Sequence, residues 1–276
     1  MSTVVNSIES DLSRFTQDGF GVVRQLLSQE EVSQIRDGFM RLNADGPIPG
    51  LSEIRGGTGD YTPDDPLAFY PRMMMPHLHD ELEVGPLSLR YMIDRRFHPY
   101  LRAFLGEEPV AVQTMFYFKP PGARGQELHQ DNFYLRVKPG TCAAAWIAVD
   151  DADFENGGMK LVPGSNDYQI VCPERADAAT SFTTDYVRPP EGLSAQHVDL
   201  KAGDVLFFNG SIIHGSSPNS SATRFRRSLI AHYIPLGSVV GGHYAQKPRL
   251  FDGSIVEVEE TEDAGPCGTM QPMGRH

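Results

Sequence analysis

From residue 109 onward, the sequence alternates between short apolar runs and turn-forming segments, and no long helical period of apolar residues survives. The intervening segments, such as PPGARG, ENGG, PGSN and AGD, are rich in the residue types that turns require. Several short strands with this punctuation predict a β-sandwich or barrel. The apolar runs are PVAVQTMFYFK (109–119), TCAAAWIAV (141–149), GMKLV (158–162), DVLFF (204–208) and RRSLIAHYI (226–234).

The residues before this region have the apolar spacing of helices. Ser28 and Glu31 match a capping box, in which the serine caps the amide three residues further on. Val32, Ile35 and Phe39 then recur at helical spacing, so this helix is predicted to have one apolar face. For residues 8–105 the sequence predicts a strand at 19–27, a helix at 29–42, a long loop over 44–66 and helices over 81–105 that end near Gly106.

Length and charge limit the classes of protein to which the chain could belong. Its 276 residues suit one domain or at most two small ones. With 24 basic and 36 acidic residues, the net charge is 24 − 36 = −12, which disfavours binding to nucleic-acid phosphates. No run approaches the roughly 18 apolar residues that a membrane span needs. We therefore expect neither a nucleic-acid partner nor a membrane partner.

The cysteines and the N-terminus predict a cytoplasmic protein. Cys142, Cys172 and Cys267 form an odd, widely spaced set, which is not typical of a disulfide framework and fits a reducing compartment. The opening MSTVVNSIESDLSRF carries acidic residues early and has no cationic stretch before an apolar one, so no signal peptide is expected.

Residues 110–119 can be divided into two faces, because side chains alternate with period two along a strand. We expect the apolar row to pack against helices and the hydrogen-bonding row to face a functional cavity. Exposure of the second row to solvent is the alternative. The apolar row is Val110, Val112, Thr114, Phe116 and Phe118, and the other row is Gln113, Met115, Tyr117 and Lys119.

Two His-x-Asp tripeptides offer metal ligands, His129–Asp131 and His197–Asp199. On a strand, residues i and i+2 point the same way, so both side chains of such a pair can reach one ion. A histidine, a carboxylate and a distant second histidine form the facial triad of non-haem iron(II) oxygenases, which leaves coordination positions open. We expect the distant ligand at the end of another strand, and DVLFFNGSIIHGSS supplies His214.

An arginine twelve positions after His214 is a candidate anchor for a cosubstrate. Arg226 lies at the start of the run RRSLIAHYI, with Arg224 and Arg227 as neighbours. A guanidinium can hold one end of a dicarboxylate through two parallel hydrogen bonds, which lysine cannot match.

Several motifs in the same order resemble the phytanoyl-CoA dioxygenase family of iron(II)/2-oxoglutarate oxygenases, in particular its ectoine hydroxylase-like branch. The resemblance covers roughly residues 12–235. The segments that carry it are FTQDGFGVVRQLLSQEEVSQIR, KPPGARGQELHQDNFYL, AAWIAVDDADFENGGMKLVPGSN, KAGDVLFFNGSIIHGSSPN and RFRRSLIAHY.

This resemblance implies a fold and a set of site residues. The fold would be mainly β with flanking helices, with a double-stranded β-helix (jelly-roll, cupin-like) core. His129, Asp131 and His214 would bind Fe(II) and form the catalytic centre, and the His197–Asp199 pair would be structural. Arg226 would hold the distal carboxylate of 2-oxoglutarate, helped by the positions that match Gln113, Tyr117 and Ser216. Tyr117 stands where that branch has an amide.

The resemblance also implies the extent of the domain. We expect a single oxygenase domain over residues 1–250, with N-terminal helices at 8–105 and the jelly-roll core at 109–235. Residues 251–276, which include EVEETED, are expected to form an acidic, flexible tail.

Residues near the metal motif are candidates to face the substrate. Asn132, Phe133, Tyr134 and Arg136 follow His129 closely, and Arg136 could pair with an anionic group. Trp146 lies on an apolar strand, where it could line the cavity or pack in the core. For His77 and His79 we expect a surface or loop role rather than a second metal site. Met73, Met74 and Met75, preceded by Arg72, could edge the substrate pocket or serve as flexible packing.

The predicted function is hydroxylation of an unactivated C–H bond in a small metabolite, with O2 consumed and 2-oxoglutarate converted to succinate and CO2. The resemblance implies that Asp131 fills the position at which related halogenases lack a carboxylate and bind chloride. Hydroxylation or desaturation is therefore expected rather than halogenation. Two alternatives stay open: a non-catalytic jelly-roll binding protein, and a metallo-cupin that uses no keto acid. The oligomeric state could be monomer or homodimer.

Overall fold

Helices precede a region dominated by strands, as the sequence predicts. The computed structural model describes residues 12–56, 59–241, 244–261 and Cys267. The helices are α1 (residues 12–18), α2 (Gln29–Leu42), α3 (Pro66–Phe69), α4 (Val84–Met92), α5 (His98–Leu105) and α6 (Asp131–Leu135), with 3-10 turns at Pro76–Leu78 and Ser165–Asp167. The strands are β1 (Phe20–Val23), β2 (Arg55–Gly56), β3 (Gly59–Asp60), β4 (Met73–Met74), β5 (Pro109–Tyr117), β6 (Gln126–His129), β7 (Ala143–Ala148), β8 (Met159–Leu161), β9 (Glu174–Arg175), β10 (Asp185–Tyr186), β11 (Gln196–His197), β12 (Val205–Asn209), β13 (His214–Ser216), β14 (Ser228–Pro235), β15 (Val240–Gly241) and β16 (Glu260–Thr261).

Two antiparallel sheets form the framework that positions the site. The larger sheet has the strand order β1-β12-β7-β14-β5-β4, and the smaller has the order β11-β8-β13-β6. A core cluster with Trp146 and Ile230 from the larger sheet and Met159 and Leu161 from the smaller one lies between them. The helices cover the opposite face of the larger sheet. This arrangement confirms the mainly-β prediction with flanking helices.

Strand β5 shows how the larger sheet divides its side chains. Phe116 packs against the helices and stacks on Phe39 of α2, with ring centroids 3.7 Å apart. Met115 belongs to the cluster between the sheets, as the predicted alternation requires. A register shift opposite His232 and Tyr233 leaves Val112 without a cross-strand partner. A bulge of this kind reverses the alternation along the strand.

The bulge makes one part of the sequence prediction wrong. Ala111 faces the helices, whereas Val110 and Val112 pack in a separate cluster with Leu135 and Ile234. Because the sequence gives no sign of the inserted residue, the strict alternation predicted from residue 110 holds only from Gln113 onward.

The N-terminal end of α2 confirms the predicted capping box. The Ser28 hydroxyl accepts a hydrogen bond from the Glu31 amide at 3.2 Å, and the Glu31 carboxylate accepts one from the Ser28 amide at 2.8 Å. The apolar face of α2 is buried against the sheet. The Glu31 carboxylate also pairs with Arg96, whose guanidinium lies 2.7 Å from it. Glu31 therefore links α2 to the segment between α4 and α5.

The helical segments predicted over 81–105 are two helices. Helix α4 ends at Met92, and α5 begins at His98. Asp94 accepts hydrogen bonds from the amide and guanidinium of Arg96, which stabilises the turn between them. Gly106 ends α5 with a positive φ of 75°, which confirms the predicted end of the helix.

The cysteine prediction was wrong for two of the three residues. Cys172 and Cys267 form a disulfide across 95 residues of sequence, with Cα atoms 5.7 Å apart, and Cys142 is a buried free thiol. The wide spacing in sequence gave no sign of this pairing. In the folded chain, Cys267 nevertheless lies beside the loop that contains Cys172. The inference of a reducing compartment from cysteine spacing therefore loses its basis.

The flexible tail predicted from residue 251 also differs from the structure over 251–261. Phe251 is buried and stacks on Tyr233, with ring centroids 5.7 Å apart. Strand β16 pairs with β15 in parallel. Phe251, together with Val256 and Val258, supplies apolar groups that the acidic composition obscured. Residues 262–266 and 268–276, and residues 8–11 of the predicted N-terminal helix, lie outside the described residues.

His77 is a further correction, because it is buried rather than at the surface. Its Nδ1 atom lies 2.7 Å from the Thr114 hydroxyl on β5. Burial lowers the pKa of His77 to about 4. His79 is partly exposed beside Glu81. None of the described helices has both the length and the apolar character for crossing a bilayer.

The pairing of Glu31 with Arg96 generates a test of stability against pH. Hydrogen bonding to Arg96 lowers the pKa of Glu31 from 4.5 to about 2. The ion pair therefore stabilises the folded state above pH 4.5 and loses that effect as the pH falls toward 2. Because both side chains are partly exposed, we expect Glu31→Gln to lower the free energy of unfolding by about 1–2 kcal/mol at pH 7.

Glutamine can keep the capping hydrogen bond, so this variant chiefly removes the charge. Urea unfolding at pH 7 and pH 3 should show a difference from the wild type that shrinks at the lower pH. Glu30→Gln, at an exposed position in the same turn, is the matched control for charge near the helix end. An equal loss of stability at both pH values would contradict the assignment.

Candidate functional site

Two histidines and an aspartate meet at the edge of the smaller sheet. His129 is the last residue of β6, Asp131 is the first of α6, and His214 is the first of β13. His129 and His214 are direct partners across the antiparallel strands. The Asp131 Oδ1 atom lies 3.5 Å from His129 Nε2 and 3.6 Å from His214 Nε2. All three side chains are buried, and together they could hold a metal ion.

The local geometry differs from the sequence prediction in two respects. His129 and Asp131 do not share a strand, because β6 ends at His129 and the chain turns at Gln130 into α6. His214 opens a strand rather than ending one, since a turn separates it from β12. The predicted proximity is present, but the start of a helix produces it rather than the period of a strand.

Backbone carbonyl groups fix which ring nitrogen of each histidine faces the site. His129 Nδ1 lies 2.8 Å from the Glu127 carbonyl oxygen, and His214 Nδ1 lies 3.1 Å from that of Ile212. A carbonyl oxygen can only accept, so each Nδ1 carries the proton and each Nε2 keeps a lone pair. Both Nε2 atoms therefore point a potential ligand toward Asp131.

The protonation states of His214 and Asp131 suit a divalent metal. Burial lowers the pKa of His214 to about 4, so its imidazole is neutral near pH 7. Burial works against the ionised form of Asp131, but His214 and His232 more than offset it, and the pKa of Asp131 lies well below its usual range. Neutral imidazole and ionised carboxylate are the forms that bind metals.

The second His-x-Asp pair does not contribute to this site. His197 and Asp199 are both exposed, and His197 packs edge-on against the ring of Phe154. Among the residues that the structure describes, the group of His129, Asp131 and His214 is the one with three potential ligands close together.

Of the three neighbouring arginines, only Arg226 lies in the interior. Arg224 pairs with Asp153 and Glu155, and Arg227 pairs with Asp150. Arg226 is 3% exposed, and within the described ranges no carboxylate lies within 4 Å of it.

The contacts of Arg226 are neutral groups. Its Nε donates to the Gly157 carbonyl at 3.2 Å, and one terminal nitrogen donates to the Ser228 hydroxyl at 2.9 Å. Its guanidinium carbon lies 5.3 Å from the centroid of the Trp146 ring and 6.0 Å from that of Tyr117. Burial lowers the pKa of Arg226 to about 10, so the group remains a cation near neutral pH.

Lys119 is a second buried basic residue, which the sequence analysis placed on the row facing a cavity but did not name as a site residue. It is 4% exposed, and its ammonium donates to the Ser216 hydroxyl at 2.8 Å. Burial, together with the charges of Arg226 and Lys160, holds the pKa of Lys119 well below its usual range. Its position two residues after β5, at the end of the predicted hydrogen-bonding row, was the signal for it in the sequence. Two buried basic groups that have no carboxylate partner in the described part of the chain favour an anion-binding site.

Of the other predicted cosubstrate residues, Ser216 and Tyr117 contact these two basic side chains, as does Trp146, which was predicted to face the substrate. Ser216 accepts from Lys119, and Trp146 and Tyr117 present their rings to Arg226. Gln113 is buried on β5, opposite His232. A cavity beside Arg226 is lined by Tyr61, Leu67, Tyr70, Arg72, Tyr117, Phe118, Lys119, Arg124 and Phe182.

Of the methionines thought to edge the pocket, Met73 is fully buried in the core under the helices. Arg72, which precedes it, donates to the Tyr117 hydroxyl at 3.2 Å. Arg72 also forms a two-pronged ion pair with Glu53.

Four of the residues predicted to face the substrate, Asn132, Phe133, Tyr134 and Arg136, come directly after Asp131 in the chain. Asn132 stabilises the turn after α6 through a hydrogen bond from the Val137 amide at 2.9 Å. Tyr134 bonds to Asp185, and its ring centroid lies 6.2 Å from that of His129. Arg136 ends α6 with a left-handed backbone, and Phe133 packs edge-on against Tyr134. Their roles toward a substrate stay predictions.

Gln130 is another residue that the sequence analysis missed. It is fully buried between the two ligands His129 and Asp131. Its amide nitrogen donates to the Ser211 carbonyl at 2.7 Å, and its amide oxygen accepts from the Val171 amide at 2.9 Å. Gln130 thereby links the turn between His129 and Asp131 both to the turn before His214 and to the segment that leads to Cys172.

The close approach of Gly157 to Lys119 generates a test of this packing. Gly157 has a φ of +78°, and a Cβ atom there would lie 2.5 Å from the Ser217 carbonyl oxygen and 2.7 Å from Lys119 Cε. We expect Gly157→Ala to lower the free energy of unfolding by roughly 1–3 kcal/mol more than Gly192→Ala. Gly192 is the matched control, because its φ is +84° but its side-chain position is open. Thermal unfolding measures both, and equal losses would contradict the packing.

Comparisons with known proteins agree with this architecture. The solved structure of the epimerase SnoN, described as a complex with Fe3+, alpha ketoglutarate and nogalamycin RO, superposes with a TM-score of 0.68 at 21% identity. The superposition covers 92% of this chain and 96% of SnoN. At this identity the likeness shows the shared fold.

Relatives in sequence give the family. The phytanoyl-CoA dioxygenase of Arabidopsis thaliana is 32% identical over 151 residues, which cover 53% of each protein. The peroxisomal phytanoyl-CoA dioxygenase of Bos taurus is 26% identical over 231 residues, 79% of this chain and 66% of the relative. The chain thus spans between about half and two thirds of the length of these relatives. The family model for phytanoyl-CoA dioxygenase (PhyH) matches residues 15–228, and the chain therefore belongs to the phytanoyl-CoA dioxygenase family.

Proposed function

We propose that this chain is an iron(II)- and 2-oxoglutarate-dependent oxygenase that acts on a small molecule. His129, Asp131 and His214 hold the metal, and Arg226 and Lys119 hold the distal carboxylate of 2-oxoglutarate. The observation that carries the proposal is the pair of buried basic side chains, Arg226 and Lys119, for which the described residues supply no carboxylate partner, beside a buried set of potential metal ligands.

Strand β13 gives the spacing between the two parts of the site. His214 contributes a metal ligand, and Ser216, two residues further on, accepts the hydrogen bond from Lys119. Residues i and i+2 of a strand face the same side, about 7 Å apart. A five-carbon diacid can span that distance with one end at the metal and the other at the cations.

The donor set fits iron(II). Two imidazoles and one carboxylate are the ligands of the facial triad, which leaves positions open for a keto acid and for dioxygen. When bound, the iron supplies the activation of O2, and the net reaction converts C–H, O2 and 2-oxoglutarate into C–OH, succinate and CO2.

The protein's own residues bind the cosubstrate and exclude water. Arg226 keeps terminal N–H groups for a carboxylate beyond its bonds to Gly157 and Ser228. The rings of Trp146 and Tyr117 lie beside the guanidinium and shield it from solvent. Burial disfavours the charged form of Lys119, and an anion bound beside it favours that form again.

Hydroxylation, rather than another outcome, is the finer part of the proposal. Asp131 supplies the carboxylate that related halogenases lack, which supports oxygen transfer over halogenation. SnoN, a protein with this fold, is described as an epimerase, so the fold does not determine the outcome. The net charge of −12 disfavours a coenzyme A ester and supports a smaller metabolite.

We extend the proposal to the jelly-roll description of the two sheets and to the ectoine hydroxylase-like branch. Three further points stay predictions: a single domain over residues 1–250, the cytoplasmic location, and the choice between monomer and homodimer.

Anaerobic titration with Fe(II) and 2-oxoglutarate tests the proposal directly. Chelation of the keto acid by the bound metal should produce a weak charge-transfer band in the visible spectrum. His129→Ala and Asp131→Ala should abolish or weaken it, because each removes one ligand. Admission of O2 should then yield succinate.

The alternatives give different results in the same titration. Tight metal binding without any band would favour a cupin that uses no keto acid. A band without succinate formation, with every candidate substrate, would favour a non-catalytic binding protein. No metal binding would refute the proposal.

Substitution of Arg226 tests the anion site separately from the metal. Arg226→Met should raise the Kd of 2-oxoglutarate by about 30-fold or more, since a buried charge-assisted pair is worth roughly 2–5 kcal/mol. Arg224→Met is the matched control, because Arg224 pairs with Asp153 and Glu155 at the surface. Titration of the visible band gives the Kd of 2-oxoglutarate for both variants. An unchanged Kd in Arg226→Met would contradict the role of Arg226 in holding the cosubstrate.

A further inference from the structure

His232 contacts the metal-ligand set from the central strand of the larger sheet. It is 2% exposed on β14, and its Nε2 atom lies 3.1 Å from Asp131 Oδ2. Its Nδ1 atom is buried and has no hydrogen-bond partner among the described residues. Among the described residues, the one hydrogen-bond partner of the His232 side chain is therefore Asp131.

The chemistry of the pair fixes the position of the proton. An ionised carboxylate can only accept hydrogen bonds, so Nε2 of His232 carries the hydrogen and donates it to Oδ2. The other oxygen, Oδ1, lies 3.5 Å from His129 Nε2 and 3.6 Å from His214 Nε2. The two oxygens of Asp131 thus have different partners.

The sheet holds His232 in a defined place. Its Cα faces Ala144 of β7 on one side and Gln113 of β5 on the other. The register of β14 and β5 shifts between His232 and Tyr233. Bulges often lie next to active sites, where they redirect a side chain.

We propose that His232 is a positioning residue that keeps Asp131 a one-oxygen ligand of the metal. By occupying Oδ2, it leaves only Oδ1 available to the ion. A carboxylate that bound through both oxygens would fill one of the three positions that a facial triad leaves open. Those positions are needed for the keto acid and for dioxygen, so this inference rests on the proposed function.

Metal affinity without turnover is the measurement that tests this role. Anaerobic titration with Co(II), followed by its visible absorption, reports both the affinity and the coordination of the ion. We expect His232→Leu to weaken Co(II) binding by about 10- to 100-fold, which is typical when the partner of a metal ligand is removed. The visible spectrum should change as Oδ2 becomes free to bind.

The conservative variant and a matched control separate positioning from general structure. His232→Gln keeps a side-chain N–H and should recover much of the lost affinity. His77→Leu also removes a buried histidine, but His77 bonds to Thr114, and Thr114 is paired with Ala231 beside His232. We expect wild-type Co(II) affinity and spectrum in His77→Leu.

Each outcome either supports the inference or overturns it. If the wild type binds neither Co(II) nor Fe(II), the proposed function is refuted, and this inference, which rests on it, is refuted as well. If the wild type binds Co(II) and His232→Leu binds it within twofold, with the same spectrum, only the inference is overturned. An equal loss in His77→Leu would also overturn it. Should His232→Leu not fold, His232→Met replaces it, because methionine also lacks an N–H donor, and wild-type affinity and spectrum in that variant would refute the role.

Discussion

Burial of both faces of the larger sheet is the constraint on which the rest of the structure depends. Strand β14 lies between β7 and β5, so its backbone groups are paired on both edges. Its side chains are then divided between two interiors: Leu229, Ala231 and Tyr233 face the helices, and Ile230 faces the smaller sheet. A shift of one residue would exchange these faces. The same register that buries the core therefore also sends His232 to Asp131.

The buried charges follow from the same constraint. A charged group removed from water needs a partner, and most arginines here have a carboxylate, as Arg72 has Glu53 and Arg227 has Asp150. Arg226 and Lys119 are buried as deeply, yet they contact neutral groups. Burial of such groups without an opposite charge is unfavourable, and a bound anion would offset that cost. The site is in this sense prepared for a ligand of opposite charge.

The sequence predicted the elements whose signals are local. The capping box at Ser28, the end of α5 at Gly106 and the apolar runs of the larger sheet all depend on residues close together in the chain. The three metal ligands were named because motifs in order carry more information than one tripeptide. The sequence also placed Lys119 on the row of residues 113–119 that was expected to face a cavity, although its contact is with Ser216, 97 residues away.

What the sequence missed depends on long-range geometry. The bulge that displaces Val112 arises from the pairing of two strands, and neither strand alone indicates it. The Cys172–Cys267 disulfide and the packing of Phe251 join segments that composition assigned to loops and tail. His232 lies in a run that reads as an ordinary apolar strand, and only the position of Asp131 at the start of α6 gives it a partner. Strands hold His129 and His214, the start of α6 holds Asp131, and the segment 132–138 that follows carries residues predicted to face a substrate. Because loops vary more readily than paired strands, proteins of this fold can keep one reaction centre while they change the molecule on which it acts.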